Sequence, residues 1–193
     1  MCHTSGGTVS VNKTNGIMAE KSKEAISSAL LKVMEIYSFN EITVTQITQE
    51  AGLSRKTFYR HFNDKEQVLE YLFATLYQEC VEEIVRSCIC HYWDVVQCYF
   101  SFWEKHKEVI KLMNRSGLLP KLLEESYNRS FEVFKIVRTP DIVKANEDML
   151  PYMLAYSIGG MHSMLIRWIE SDMAVEPRVI IESLKNGFSS DMF

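Results

Sequence analysis

A short run of basic and hydroxyl-bearing side chains between residues 54 and 62 could make directed contacts with nucleic acid. Cationic groups pair with phosphates or guanine edges, while hydroxyl and imidazole groups form hydrogen bonds to base edges. Presented from one helix, such groups suit the major groove of duplex DNA. The residues expected to face DNA are Arg55, Lys56, Thr57, Tyr59 and His61.

Two short helices joined by a tight turn are predicted to hold these groups. Thr43 and Ser54 can cap the helices, because their hydroxyls accept free backbone N–H groups. Gly52 stands where the first helix must end, since glycine adopts the left-handed conformation without a steric penalty. Phe58 and Phe62, four residues apart, would anchor the second helix to the core. The pattern predicts a helix-turn-helix, and the alternative is an amphipathic helical hairpin with solvated charges.

Further polar residues of the motif are expected to hold the DNA backbone. Lys65 would open the next helix, where its charge and the free backbone N–H groups could attract a phosphate. The residues assigned to this role are Thr43, Thr45, Ser54 and Lys65.

Residues 42–66, I-T-V-T-Q-I-T-Q-E-A-G-L-S-R-K-T-F-Y-R-H-F-N-D-K-E, resemble the tetracycline-repressor (TetR) family of bacterial transcription regulators. With the preceding helix, the resemblance covers residues 20–72, and the remainder is similar only in length and helical character. The resemblance implies an all-α dimer with an N-terminal DNA-binding domain. It also implies a larger C-terminal domain that dimerises and binds a small-molecule inducer. In that family, the helix after the recognition helix carries the inducer signal to the DNA-binding heads.

The composition indicates a folded protein whose basic charge is local. Of the 193 residues, 47% are hydrophobic, which excludes a disordered chain. The net charge is -4 and the sequence pI about 5.8, so the surface as a whole is not basic and any DNA contact must be a local patch. No apolar run has the pattern of a signal peptide or the length of a membrane span, and a cytoplasmic location is predicted.

The spacing of apolar residues predicts an all-α protein. Residues 1–19 are predicted as a disordered arm, residues 20–66 as a three-helix DNA-binding domain and residues 67–193 as a helical ligand-binding and dimerisation domain. Lys13 is the one Lys or Arg of this arm that could contact the minor groove. Met18 is an alternative to Met1 as the first residue of the protein. The predicted helical stretches are 22–39, 43–51, 54–62, 65–88, 91–105, 108–114, 121–137, 147–170 and 178–186.

Aromatic residues in the second half could line a cavity for an apolar or planar ligand. Aromatic stripes at helical spacing are also typical of ordinary core packing, so both interpretations stay open. The candidate ligand contacts are Tyr99, Phe102, Trp103, Met113, Phe131, Phe134, Tyr152 and Tyr156.

Residues at three- and four-residue steps along the helix predicted over 147–170 include several small ones, which permit another helix to approach closely. A second copy related by two-fold symmetry would form a four-helix interface. The alternative is packing within one subunit. The candidate interface residues are Gly159, Gly160, Ser163, Met164 and Arg167.

The cysteine and histidine spacing does not indicate a metal site. Cys88, Cys90 and His91 form C-x-C-H, whose side chains would diverge on a helix, unlike C-x-x-C ligand pairs. Buried, unreactive thiols are favoured, and a thiol redox sensor is the alternative. His162 is isolated, no catalytic motif occurs, and neither an enzyme nor a cofactor is predicted.

The predicted function is a ligand-responsive, sequence-specific DNA-binding transcriptional regulator, with a repressor favoured over an activator. Its expected partners are a duplex DNA operator, a second copy of the chain and a small-molecule inducer. The alternative is an activator, co-activator or protein–protein adaptor built on the same fold.

Overall fold

The computed structural model describes residues 8–87, 91–137, 144 and 148–189, and the regular elements of these residues are all helical. The prediction of an all-α fold is therefore confirmed. The α-helices are α1 (Thr8–Met34), α2 (Val44–Ala51), α3 (Arg55–His61), α4 (Lys65–Arg86), α5 (Tyr92–Lys105), α6 (Lys107–Arg115), α7 (Leu119–Val137), α8 (Leu150–Glu170) and α9 (Pro177–Ser189), with a 3-10 turn at Phe39–Glu41. None of the described helices is both long and apolar enough to span a membrane.

The chain divides into two compact units, Met1–Leu72 and Phe73–Phe193, so the boundary falls inside α4. The sequence predicts it six residues earlier, between residues 66 and 67. Val68 and Leu69 lie before the observed boundary and are buried. The first turns of α4 therefore contribute apolar side chains to the N-terminal unit.

The N-terminal unit is built on α1, which packs against both α2 and α3. Ile26, Leu30, Ile47 and Phe58 are fully buried, and removing such side chains from water is the main force that holds three short helices together. No two-helix motif could bury this much apolar surface alone.

The first helix begins earlier in the chain than predicted. The sequence predicts it over residues 22–39, but α1 covers Thr8–Met34, so residues 8–19 are helical where a disordered arm is predicted. The physical reason is that extending an existing helix adds one hydrogen bond per residue without repeating the cost of nucleation. Residues 1–7 of the predicted arm lie outside the described residues.

In the C-terminal unit, α8 packs against α6 and α7, while α9 packs against α5. The ring of Trp168 meets that of Phe100 at 5.5 Å between centroids, and its Nε1 donates a hydrogen bond to the Val175 carbonyl at 2.7 Å. This bond ties the loop before α9 to α8.

Helix ends in the C-terminal unit lie close to the predicted ones. Gly117, at φ 68°, follows α6 as predicted. In contrast, α9 runs through Gly187, where the sequence predicts its end. The predicted break at Thr139-Pro140 and the predicted cap at Asn146 lie outside the described residues.

Candidate nucleic-acid interface and ligand cavity

Backbone capping fixes the start and end of α2. The Gln46 N–H donates to Thr43 Oγ1 at 3.3 Å, and the Thr43 N–H donates to Gln46 Oε1 at 2.8 Å, which closes a capping box. Gly52 follows in the left-handed region at φ 64°, and the Leu53 N–H returns to the Thr48 carbonyl at 3.0 Å. The predicted cap and turn are confirmed.

The second helix of the motif is capped and anchored as predicted. Ser54 Oγ accepts a hydrogen bond from the Thr57 N–H at 3.0 Å, while Phe58 is fully buried and Phe62 is 5% exposed. Each residue advances about 100° around a helix, so Lys56 and Arg60 lie about 160° from Phe58. Both are exposed. Burying one side of α3 therefore turns its cationic side outward.

Arg55 and Tyr59 form a pair on one flank of this outward side. The Arg55 guanidinium lies 5.9 Å from the centre of the Tyr59 ring, and that ring meets Phe58 edge-on at 5.4 Å. Tyr59 is 49% exposed. A guanidinium over an aromatic face is attracted by the ring quadrupole. The buried Phe58 thus positions Tyr59, which in turn orients Arg55.

Thr57 is less available than its neighbours. It is half-buried, and its hydroxyl lies 2.9 Å from Ser54 Oγ. Thr45 is exposed. Of the residues expected to meet DNA, the exposed ones are Thr43, Thr45, Ser54, Arg55, Lys56 and Tyr59.

Lys65 has a structural role that replaces its predicted phosphate contact. Its Nζ donates to the carbonyls of Phe39 at 2.7 Å, Asn40 at 2.8 Å and Ile42 at 3.0 Å. A lysine ammonium has three donors, and three carbonyls take them. Lys65 therefore fastens the start of α4 to the 3-10 turn.

His61 also departs from its predicted role, because it turns towards α1. Three steps after Phe58, it lies only about 60° from that anchor around the helix. It is half-buried and, together with Arg60, borders a cavity that is also lined by Met18, Ala19 and Ser22 of α1. Burial lowers the pKa of its imidazole, with the charge of Arg60 as a further cause. His61 is consequently a neutral packing residue near pH 7.

A second cavity, of about 510 Å³, lies in the C-terminal unit between α4, α5, α7 and α8. Its volume is within the range of small-molecule sites. The residues lining it are Leu76, Tyr77, Cys80, Val81, Ile84, Tyr92, Val95, Tyr99, Trp103, Leu122, Leu123, Ser126, Ser130, Phe134, Leu150, Met153, Leu154, Tyr156, Ser157, Ile158, Met161 and His162.

Half of the predicted ligand contacts line this cavity and half do not. Those that line it are Tyr99, Trp103, Phe134 and Tyr156. Phe102 and Met113 are instead packed in the core, Tyr152 is 73% exposed, and Phe131 lies under the Lys135 ammonium. The reason is that aromatic character marks burial or contact in general, whereas cavity lining depends on which side of each helix faces its neighbours.

The ionisable groups of the cavity wall favour their uncharged forms. Burial raises the pKa of Cys80 to about 12, and it raises the pKa values of Tyr77 and Tyr99 as well. Burial lowers the pKa of His162. Among the described residues that line the cavity there is no Asp, Glu, Lys or Arg. The wall is therefore neutral near pH 7.

The thiols described by the structure are buried. Cys80 and Cys98 are free, and burial raises the pKa of both, which makes them poor nucleophiles. Within the described part of the chain, no three His, Cys, Asp or Glu side chains gather as metal ligands. Cys88 and Cys90 lie outside it.

The N-terminal unit carries a recognised family signature. Residues 26–72 match the family described as bacterial regulatory proteins, tetR family. Residues 26–72 are therefore similar to the DNA-binding domain of the TetR family. This matched stretch contains α2, α3, their connecting turn and the first turns of α4.

Two curated proteins similar to this chain are regulators by name. It is 28% identical over 128 residues to the uncharacterized HTH-type transcriptional regulator YxbF of Bacillus subtilis (strain 168), covering 66% of this chain and 31% of the relative. It is 27% identical over 73 residues to the HTH-type dhaKLM operon transcriptional activator DhaS of Lactococcus lactis subsp. lactis (strain IL1403), covering 38% and 37%. The matches thus span about a third of each relative's length.

One side of α8 is open among the residues that the structure describes. Tyr152 and Tyr156 are 73% and 70% exposed, and a Cβ added at Gly159 or Gly160 would meet no atom within 4 Å. Of the predicted interface residues, Gly160, Ser163 and Arg167 are exposed, while Gly159 and Met164 are half-exposed. Among the described residues, Gly159 and Gly160 therefore do not serve a close helix contact.

Sequence reasoning missed several residues of the cavity wall, including Tyr77, Cys80 and His162. For Tyr77 and Cys80, three apart on α4, the spacing indicates only an apolar helix side. His162 has a usable signal, since it is a lone imidazole in an otherwise apolar stretch of α8.

Proposed function

We propose that this protein is a TetR-family transcription regulator that binds duplex DNA through α3 and responds to a small molecule in the cavity of its C-terminal unit. The observation that carries the proposal is the orientation of α3. Phe58 is fully buried, while Arg55, Lys56 and Arg60 are exposed. A short helix that presents cationic and aromatic groups outward has the geometry needed to enter a major groove.

The exposed groups divide by the contact each is suited to. Lys56 and Arg60, opposite the anchor, would pair with phosphates, which supply affinity and register. Arg55, oriented by Tyr59, would form paired hydrogen bonds to a guanine edge. The caps of both helices hold their N-terminal N–H groups in place for the phosphate backbone.

A homodimer would place two copies of α3 in successive major grooves, roughly 34 Å apart. The open side of α8 supports this assembly, since a Cβ added at Gly159 or Gly160 would meet no atom of the described residues within 4 Å. We assign the interface to α8 together with α9, which exposes Val179.

Ligand control would act through α4. Leu76, Tyr77 and Cys80 of this helix line the cavity, while Val68 and Leu69 of the same helix are buried in the N-terminal unit. A ligand that fits one arrangement of α4 better than another would shift the population of states with different DNA affinity. A repressor released by its ligand is the favoured form. An activator is the second candidate, supported by the name of the Lactococcus lactis relative.

Selection from a random pool of duplex DNA tests the proposal, because the pool contains every short operator sequence. The purified protein is expected to enrich one inverted-repeat motif whose half-sites lie about one helical turn apart. The variant Arg55→Ala should lose or alter the enriched half-site, whereas Lys121→Ala, an exposed lysine on α7, should enrich the same motif. If the wild-type protein enriches no motif, the protein–protein adaptor becomes the better explanation.

A further inference from the structure

His162 stands out among the polar groups of the cavity wall. The residue is buried, with a relative exposure of 7%, yet it borders open space in the cavity. Within the described part of the chain, its imidazole has no hydrogen-bond or ion-pair partner. Among the described residues, the fully buried side-chain nitrogens without a partner are His61 Nε2 and Trp103 Nε1, so the nitrogens of His162 keep surface that faces the open space of the cavity.

The neighbouring serines in the wall are already engaged. Ser126 Oγ donates to the Leu122 carbonyl at 2.8 Å, and Ser130 Oγ donates to the Tyr127 carbonyl at 2.7 Å. Ser157 Oγ lies 3.4 Å from the Tyr92 hydroxyl. Each of these serine hydroxyls therefore already has an oxygen of the chain as its acceptor.

The Trp103 Nε1 atom is covered by protein, with the Tyr99 hydroxyl as its neighbour. It does not face the cavity as His162 does. A neutral imidazole offers one donor and one acceptor nitrogen, so it can pair with either a hydroxyl or a carbonyl group.

The rest of the wall restricts the charge and the shape of a ligand. A charged ligand would leave water without gaining a counter-ion, because the described wall residues carry no formal charge near pH 7. Aromatic rings from α4, α5 and α7, namely Tyr77, Tyr99 and Phe134, border the same space. Flat apolar molecules can pack against such rings in offset or edge-on arrangements.

We propose that the effector is an uncharged, mainly apolar ring compound with one hydroxyl or carbonyl group, and that His162 binds this group. This inference rests on the proposed ligand response and names the chemical class that the cavity accepts. His162 positions the ligand, and the apolar wall supplies most of the affinity. Replacement of the imidazole should therefore remove selectivity for the polar group and leave binding of the ring system in place.

A set of bicyclic probes tests this assignment by calorimetry on the full-length chain. The probes are 1-naphthol, naphthalene, 1-naphthoate and 1-naphthylmethylammonium. Wild-type protein should bind 1-naphthol about five- to tenfold more tightly than naphthalene, which corresponds to one hydrogen bond. The two charged probes should bind at least about tenfold more weakly than 1-naphthol. Equal affinity for 1-naphthol and naphthalene, a charged probe bound as well as 1-naphthol, or no binding of any probe would overturn the assignment.

Two variants of His162 separate anchoring from packing. His162→Leu should bind naphthalene within about twofold of wild type but lose the preference for 1-naphthol. His162→Gln should keep part of the preference, because its amide both donates and accepts. The matched control is His91→Gln, the same substitution at an exposed histidine outside the cavity wall, which should leave the preference unchanged. A His162→Leu protein that still prefers 1-naphthol contradicts the role of His162.

A spectroscopic measurement covers the case in which His162→Leu does not fold. Imidazole ¹⁵N resonances of the wild-type protein that are absent from His162→Gln belong to His162. They should move when 1-naphthol is added and stay in place with naphthalene, and unmoved resonances would overturn the proposal.

DNA selection without any probe distinguishes the ligand-class hypothesis from the regulator hypothesis. A protein that enriches a motif but shows no 1-naphthol preference refutes only the ligand class. A protein that prefers 1-naphthol but enriches no DNA motif refutes the proposed regulator and leaves the ligand class in place.

Discussion

Arg55 and Tyr59 lie one turn apart on α3, with the Arg55 guanidinium 5.9 Å from the centre of the Tyr59 ring. An unsupported arginine samples many rotamers, and ordering it on DNA would cost conformational entropy. Because the ring orients the guanidinium before binding, less of that cost remains to be met at the interface. The pair therefore matters for DNA affinity beyond the contacts that each residue makes itself.

Replacing Tyr59 tests this pairing. Tyr59→Leu should weaken DNA binding about three- to tenfold, because it removes an interaction of about 0.5–1 kcal/mol together with any contact from the hydroxyl. Tyr59→Phe keeps the ring and should lose only the hydroxyl contribution. Fluorescence anisotropy with the selected duplex measures both. Equal affinities for Tyr59→Leu and wild type would show that the ring does not orient Arg55 for binding.

Lys65→Met should destabilise the protein rather than act mainly on DNA binding. The substitution leaves three carbonyls, those of Phe39, Asn40 and Ile42, without their donor. We expect the free energy of unfolding to fall by about 1.5–3 kcal/mol, measured by urea denaturation. Lys56→Met, on the exposed side of α3, is the control that should leave stability within about 0.5 kcal/mol. If Lys65→Met is as stable as Lys56→Met, the three hydrogen bonds do not hold the motif.

Interactions between residues close in the chain could be predicted from the sequence, whereas interactions between distant residues could not. Thr43, Gly52 and Ser54 act on backbone groups a few residues away, so the caps and the turn of the motif could be predicted from neighbouring residue types. The role of Lys65 could not, since its partner carbonyls lie 23 to 26 residues earlier in the chain. From the sequence alone, the charge of Lys65 is equally compatible with a phosphate contact and with hydrogen bonds to carbonyl groups.

Which residues line the cavity also depends on how the helices pack, and therefore on contacts between distant parts of the chain. Phe102 and Tyr99 are both aromatic and lie three residues apart, yet only Tyr99 borders the cavity. The difference arises from how α5 packs against its neighbours, which periodicity does not specify. Likewise, Tyr152 has the hydrophobicity of a core residue but lies on the open side of α8.

A bulky substitution at Gly160 should disrupt the homodimer without unfolding the subunit. A Cβ added at this exposed position meets no atom of the described residues within 4 Å, so the substitution causes no clash at the Cβ within the subunit. Replacing a helical glycine should even stabilise the isolated subunit by up to about 1 kcal/mol. Light scattering after size-exclusion chromatography should report a dimer for wild type and a larger monomer fraction for Gly160→Leu. Glu104→Leu, an exposed position on α5, should remain dimeric. An unchanged dimer of Gly160→Leu would place the interface elsewhere.

Mild acid should lower stability through His162. Burial lowers the pKa of this imidazole from the ordinary value of 6.5, so the unfolded chain binds protons more readily than the folded one. The contribution of His162 to the free energy of unfolding is therefore fully present above pH 6.5 and declines as the pH falls below that value. His61, whose pKa is also lowered, adds to the same trend. Thermal unfolding followed by circular dichroism should show a falling midpoint between about pH 7.5 and about pH 5.5.

The matched variants assign this pH dependence. His162→Gln should show a shallower decline, and His162→Gln combined with His61→Gln a shallower one still. His91 is exposed and provides the control. The midpoint of thermal unfolding of His91→Gln should fall with pH as it does in the wild-type protein. A His162→Gln protein with the full wild-type slope would mean that other groups are responsible.

The salt dependence of binding to the selected duplex tests the central claim most directly. If the cationic side of α3 meets phosphates, the logarithm of the association constant falls linearly with the logarithm of salt concentration, since each neutralised phosphate releases counterions. Lys56→Ala combined with Arg60→Ala should reduce the magnitude of that slope by about 2 per subunit and weaken binding, while Lys121→Ala changes neither. A double variant with the affinity and slope of wild type would contradict the placement of α3 on DNA.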